Sequence, residues 1–220
     1  MIGIIGGFPM RKISLLVLLL AACSKNNNTE MSLYHEDGRA KPVIAVASMI
    51  DTTSFDCPWS LSEELTSMVV KKIEGGGKIF VQSNVDSPFA ENPFGNDLSW
   101  VKREFQNQEF VVFLELVEHA AIPVLRGNKK LTNPSPPELS TNLEMAVRIR
   151  VLDLRSQTPK IVLQEMVRES YYIPKTLLPT DYNQTVWGSD EYQNTPMGIA
   201  HRQLIQEIAL RVSDYILLAR

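Results

Sequence analysis

Val43-Ile-Ala-Val-Ala-Ser48 leads through Ser60-Leu-Ser-Glu63 to Gly75-Gly-Gly-Lys-Ile-Phe-Val-Gln82, and this stretch decides the fold. The first run is short, apolar and bounded by polar residues, as suits a strand buried on both faces. Ser60 and Glu63 have the spacing of a capping box, in which each side chain satisfies the other residue's free backbone amide. Leu61, Leu65, Met68, Val69 and Ile73 then recur at helical spacing and form one apolar stripe. Gly75-Gly-Gly77 ends that helix, because glycine enters the left-handed region at little cost. Lys78–Gln82 is the next strand. A strand, a crossover helix and a second strand make a right-handed unit with parallel strands.

Downstream, residues 84–108 are expected to be irregular, with a short helix from Asp97. Phe110-Val-Val-Phe-Leu-Glu-Leu-Val-Glu118 reads as a strand, followed by a proline-rich loop over 123–138. From 143 to 151, Leu143, Met145, Val147, Ile149 and Val151 alternate with Glu144, Arg148 and Arg150, the pattern of a strand with one wet face. Arg155–Pro159 turns it into a hairpin partner, Ile161–Tyr172. Residues 173–195 read as a long loop, and Thr195-Pro196 caps a helix that runs to the C-terminus. Its buried stripe is Leu204, Ile205, Ile208, Val212 and Ile216. The order β-α-β-(α)-β-β-β-α specifies an α/β (α+β) fold: a single mixed β-sheet of about five strands with helices packed on it.

The N-terminus has different physics. Arg11 and Lys12 are the only charges before Cys23, and Ile13–Leu20 is apolar but too short to span roughly 30 Å of hydrocarbon. It fits the apolar core of a signal peptide. Leu20-Ala21-Ala22-Cys23 resembles the bacterial lipobox, whose cysteine thiol takes a diacylglycerol. The polar run Ser24-Lys-Asn-Asn-Asn-Thr-Glu30 follows and cannot pack on anything apolar. The expected organisation is a signal peptide over 1–22, a lipidated N-terminus and flexible stalk over 23–41, and a globular domain over 42–220. Met10 is an alternative start to Met1 and leaves the mature protein unchanged. The lipobox resemblance implies two or three acyl chains on Cys23, hence lasting attachment, since a single chain binds only reversibly. Ser24 stands where an inner-membrane retention signal places Asp, so the resemblance favours the outer membrane, facing the periplasm.

Val43–Val81 and the segment Val147-Arg-Ile-Arg-Val-Leu-Asp-Leu-Arg-Ser-Gln-Thr-Pro-Lys-Ile-Val-Leu163 carry a second resemblance. The pattern is a strand ending near Asp51, a helix after Ser60, a strand past a Gly turn, and a hairpin around an Asp-Leu turn. It resembles the family that includes the curli-secretion lipoprotein CsgG, the amino-terminal domain of TolB and the penicillin-binding-protein activator LpoB. That resemblance implies an accessory protein: an LpoB-like regulator of a peptidoglycan synthase or a TolB-like element of a trans-envelope complex. A CsgG-like role, as a subunit of an oligomeric outer-membrane secretion channel, is the alternative. It needs membrane hairpins with about 9–11 alternating residues per strand. The prolines at 123, 134, 136 and 137 and at 88 and 93 argue against such strands in 121–138 and 84–100.

Chemistry is sparse. Without Arg11 and Lys12, 20 of the 22 basic residues remain against 25 acidic ones, a formal charge of −5 that attracts neither nucleic acid nor an anionic surface. His35, His119 and His201 share no metal-ligand spacing with each other, with Cys or with an acid. No metal or cofactor is expected. Cys57, the one thiol left once Cys23 is lipidated, lacks a basic neighbour that would activate it. Gly75-Gly-Gly-Lys78 precedes a strand and is followed by Ile79, so it is no phosphate loop. Asp51-Thr52-Thr53 lies at a strand's carboxyl end, where α/β sheets bind ligands, but a polar turn explains it. A hydrolase centred there is a third class of reading. Aromatics in loops are left over: Phe89, Phe94 and Trp100 in one, Tyr182, Trp187 and Tyr192 in another. Exposed aromatics characterise interfaces, so Tyr182, Trp187 and Tyr192 are the candidate interaction residues. The expected function is a non-enzymatic, lipid-anchored domain that binds another envelope protein.

Overall fold

A computed structural model describes residues 32–82, 91–125, 139–177 and 180–220. The signal segment, Cys23 and residues 24–31 of the stalk lie outside the described residues, as do Phe89, Pro134, Pro136 and Pro137. The sheet has six strands: β1 (Val43–Val46), β2 (Ile50–Asp51), β3 (Phe80–Val81), β4 (Phe110–Leu125), β5 (Leu139–Asp153) and β6 (Lys160–Ile173). Their order is β3-β1-β4-β5-β6, with β2 also on β4. The pairs involving β1, β2 and β3 are parallel, and the β4–β5 and β5–β6 pairs are antiparallel. Helix α1 (Leu61–Gly75) crosses over between β2 and β3, as the opening stretch requires. The other helices are α2 (Val101–Glu104), α3 (Asp190–Gln193) and α4 (Pro196–Ala219).

Local chemistry sets the ends of these elements. The Ser60 hydroxyl accepts from the Glu63 amide at 3.2 Å, which satisfies one orphan donor of α1. Gly77, at φ +68°, supplies the left-handed residue that reverses the chain towards β3. Ile44 and Val46 of β1 face α1 and α4, while Ala45 and Ala47 face the opposite side, and all four are buried. Leu65, Val69 and Ile73 meet the sheet together with Leu204, Ile208, Val212 and Ile216. Each such side chain contributes roughly 1.5–3 kcal/mol on leaving water.

Two expectations change. The strand expected to end at Glu118 runs to Leu125 and carries Pro123 opposite Thr141. Beyond Leu116 the other edge of β4 has no partner among the described residues, so a proline there forfeits only a bond that an edge can spare. The wet face expected of β5 is largely covered. Arg148 and Arg150 do point away from the helices, but residues 91–105 fold over them, and the Phe94 ring lies 4.4 Å and 5.5 Å from the two guanidinium carbons. Arg150 donates to the carbonyls of Pro93 and Gly95 at 2.9 and 2.7 Å. Trp100, Val101 and Phe105 close this second core against Val111, Phe113 and Leu152. Sequence alternation shows which way a side chain points, not whether a distant loop returns to cover it.

Candidate functional site

The segment expected to be one long loop is largely ordered and forms a wall beside α1 and α4. Asp181 closes its first turn by accepting from the Asn183 amide at 3.1 Å and the Gln184 side chain at 2.6 Å. Ser189 caps α3 through the Tyr192 amide at 3.1 Å. Thr195 caps α4, accepting from the Gly198 amide at 3.1 Å, while its hydroxyl donates to the Tyr192 carbonyl at 2.7 Å. A Cβ at Gly198 would sit 2.2 Å from that same carbonyl, so only glycine lets α3 press against the first turn of α4. This contact turns the Tyr192 ring inward.

Inward lies a polar node inside the apolar core. Glu64 of α1, His119 of β4 and His201 of α4 are buried, and Tyr192 is only 2% exposed. The His119 and His201 rings meet Nε2 to Nε2 at 2.8 Å. His201 Nδ1 lies 2.8 Å from Glu64 Oε1 and 2.9 Å from the Tyr192 hydroxyl. That hydroxyl donates to Glu64 Oε1, and the Trp59 indole donates to Oε2 at 2.7 Å. Phe55 stacks edge-on against His119 at 4.2 Å. His119 Nδ1 is buried without a hydrogen-bond partner among the described residues. A group left so usually costs about 1–3 kcal/mol.

Burial works to raise the Glu64 carboxyl, but hydrogen bonds and charge from His201, with further hydrogen bonds from Tyr192 and Trp59, outweigh it and hold it below the usual range. Tyr192 is pushed up by burial and by the Glu64 charge, so its hydroxyl keeps the proton that it donates. Burial first, then the charge of His201, push His119 down to about 3, so it is neutral near pH 7. Two proton arrangements satisfy the line of contacts. Either His119 donates from Nε2 to a neutral His201, or a protonated His201 donates to His119. A third is excluded: with both rings protonated, two N–H groups would face each other. The node joins five segments of chain, and its buried groups offer no surface to a substrate in this conformation. Among the described residues no group of three or more His, Cys, Asp or Glu could hold a metal ion.

Outward of Tyr192 the wall and the two helices enclose a hollow of about 270 Å³. Met68, Ile205 and Trp187 give it apolar surfaces, and Lys71, Lys72 and Arg202 give it charge; no acidic residue lines it. Arg202 donates to the Gln193 carbonyl at 3.2 Å. Every salt bridge of the described residues lies elsewhere, so Lys71 and Lys72 have no acid partner there.

The three candidate aromatics therefore have different situations. Trp187 is half-buried and forms a wall of the hollow. Tyr182 packs edge-on to Trp59 at 6.3 Å, and its hydroxyl accepts from the Met197 amide at 3.4 Å. Tyr192 is a core residue, only 2% exposed, that borders the inner end of the hollow. Cys23 lies outside the described residues. Asp51 is exposed and accepts from the amide and hydroxyl of Thr53, both at 2.8 Å, as a polar turn would. Burial pushes the free Cys57 thiol up, away from reactivity.

Sequence spacing separates the histidines; the fold brings His119 and His201 together. Met197, His201, Leu204 and Ile208 follow one helical stripe, so the burial of His201 has a signal in the sequence. Glu64 likewise falls three residues after Leu61, inside the stripe of α1. His119 has no such signal. A bulge between Leu116 and Glu118 shifts the alternation of β4 by one residue and turns His119 towards the helices.

The fold is similar to that of the hypothetical protein CT253 from Chlamydia trachomatis, at 24% identity and a TM-score of 0.62, over 80% of this chain and 98% of that one. It is also similar to TolB from Acinetobacter baumannii, at 13% identity and a TM-score of 0.37, over 82% of this chain and 28% of that one. Lipoprotein GNA1162 from Neisseria meningitidis is similar at 10% identity and a TM-score of 0.38, over 79% and 99% of the two chains. The likeness to CT253 is one of fold. No curated protein matches the sequence. Residues 30–220 match the family of unknown function DUF7499, and the chain belongs to that family.

Proposed function

We propose that this protein is a lipid-anchored envelope protein whose folded domain binds other envelope proteins and catalyses no reaction. The observation that carries the proposal is Leu20-Ala21-Ala22-Cys23 at the end of a short apolar run and ahead of a polar stalk. Acyl chains on Cys23 would hold the domain at a membrane surface, with Ser24 favouring the outer membrane and a periplasmic domain. No helix of the described residues is long and apolar enough to cross a membrane. The closed polar node supports the non-enzymatic half of the reading. Its titratable groups are spent on one another and on holding five segments together.

Metabolic labelling with a palmitate analogue tests the anchor. The wild-type chain should take the label and lose residues 1–22, whereas Cys23→Ala should remain an unlabelled precursor. Label retained on the Cys23→Ala protein would overturn the proposal.

A further inference from the structure

We infer that the seam between α1 and α4 is the surface that receives a partner protein, and that the partner presents one or two acidic residues flanked by apolar side chains. This rests on the accessory-domain reading above and gives it a place and a chemistry. The hollow beside Trp187 does not end at Lys71 and Lys72. Both lysines also line a second hollow of about 360 Å³, which continues along the same seam past Ile73 and Ile79 to Leu210 and Leu217. Their aliphatic stems therefore stand between two apolar rooms, with the ammonium groups free to reach water.

The charge along this seam is one-sided. Arg202, Lys71, Lys72 and Lys78 line it against a single acid, Asp214, in a chain whose formal charge is −3. Lys71 and Lys72 are exposed, and no ion pair of the described residues involves either. They are available to an acid from outside. A carboxylate seated between the rooms meets two ammonium groups, and each room takes one apolar side chain. Apolar residues one turn apart in a helix, or two apart in an extended segment, present two side chains roughly 5–7 Å apart on one face and can enter neighbouring rooms. A straight acyl chain is a poorer match, because the lysine stems divide the seam into two short compartments.

The test uses the full-length lipidated protein in phosphatidylcholine nanodiscs and two synthetic peptides, acetyl-Ser-Phe-Glu-Asp-Leu-Ser-amide and its Phe-Lys-Arg-Leu counterpart. Binding is followed by calorimetry and by the fluorescence change on titration in wild type and Trp187→Phe. The acidic peptide should bind, more weakly as salt rises, with a signal that depends on Trp187. Lys71→Glu/Lys72→Glu should weaken it by roughly tenfold or more, as expected for reversing two charges at such contacts. Lys71→Gln/Lys72→Gln should show a smaller loss with unchanged melting, which keeps the result independent of folding. Equal binding of the basic peptide, or none of the acidic one, overturns the inference. So does displacement of the acidic peptide by phosphatidylglycerol nanodiscs, which would assign the seam to lipid. Labelling at Cys23 is unaffected by any of these outcomes, so the anchor and the seam stand or fall separately.

Discussion

Glu64 and the pair Lys71–Lys72 lie two turns apart on α1 and meet opposite fates. Glu64 is turned into the core, where Trp59, Tyr192 and His201 all donate to it. The lysines are turned outward, and no salt bridge of the described residues involves either. Glu64 breaks the simple amphipathic pattern of the helix by placing a charge inside, whereas the lysines keep to its outer face and are exposed. The difference separates two kinds of polar residue. A buried group with its acceptor sites filled belongs to the fold. An exposed group that the fold does not use is available for something else.

Removing the buried partner should have the largest effect. Glu64→Ala leaves the Trp59 indole, the Tyr192 hydroxyl and His201 Nδ1 facing an apolar gap. Breaking a buried pair from one side costs about 3–5 kcal/mol, a large share of the stability of a domain this size. Urea denaturation should show the loss directly. A midpoint within error of wild type would mean that the node does not bind these segments together.

Acid should weaken the same node by a smaller amount. His119 is held down at about 3 in the folded protein, against about 6.5 in an unfolded chain. The unfolded state therefore takes up the proton first, and stability present above pH 6.5 is lost as pH falls towards 3. Between pH 7 and pH 5 the loss should be about 2 kcal/mol, a value that requires only that the folded histidine stay neutral across that range. Glu64, also held low, adds a further loss below the ordinary carboxylate range. Denaturation midpoints at the two pH values give the number, and His119→Gln should flatten the dependence. A flat wild-type profile would show that His119 is protonated without unfolding and is not sealed in.

Much of the fold was legible because local signals agreed with the global arrangement. The Ser60 cap, the Gly77 reversal, the Thr195-Pro196 start and the apolar stripes of α1 and α4 each appear where their residues place them. The order of strands followed, except for β2, a two-residue pairing too short to leave a pattern. The node was only half legible. Glu64 and His201 sit within apolar stripes, but nothing in their spacing says that they meet. The contact requires α1 and α4 to lie side by side on the sheet, and the β4 bulge to turn His119 towards them. Tyr192 departs from expectation for a related reason. Its apparent freedom in a loop vanishes because Gly198 lets α3 press onto α4. Lys71 and Lys72 carry no signal, since two lysines on a helix are ordinarily a solvated face. Only the fold shows that they divide two apolar hollows.

The smallest effect is the one that completes the contrast. Lys71→Ala/Lys72→Ala should leave stability within about 0.5 kcal/mol of wild type, the range for surface substitutions away from caps, cores and ion-pair networks. Neither lysine belongs to an ion pair of the described residues, and alanine has the better helix propensity, so the backbone loses nothing. Lys72 does lie in the last turn of α1, where a positive charge favours the helix dipole, but an exposed charge there is worth only about 0.3–1 kcal/mol. That loss and the propensity gain nearly cancel. Thermal melting of the double variant beside wild type decides the matter. A drop of several degrees would show that the lysines serve the fold just as Glu64 does, and the distinction between the two ends of α1 would collapse. An unchanged melt, together with impaired peptide binding at the seam, would leave recognition as the role the two lysines have.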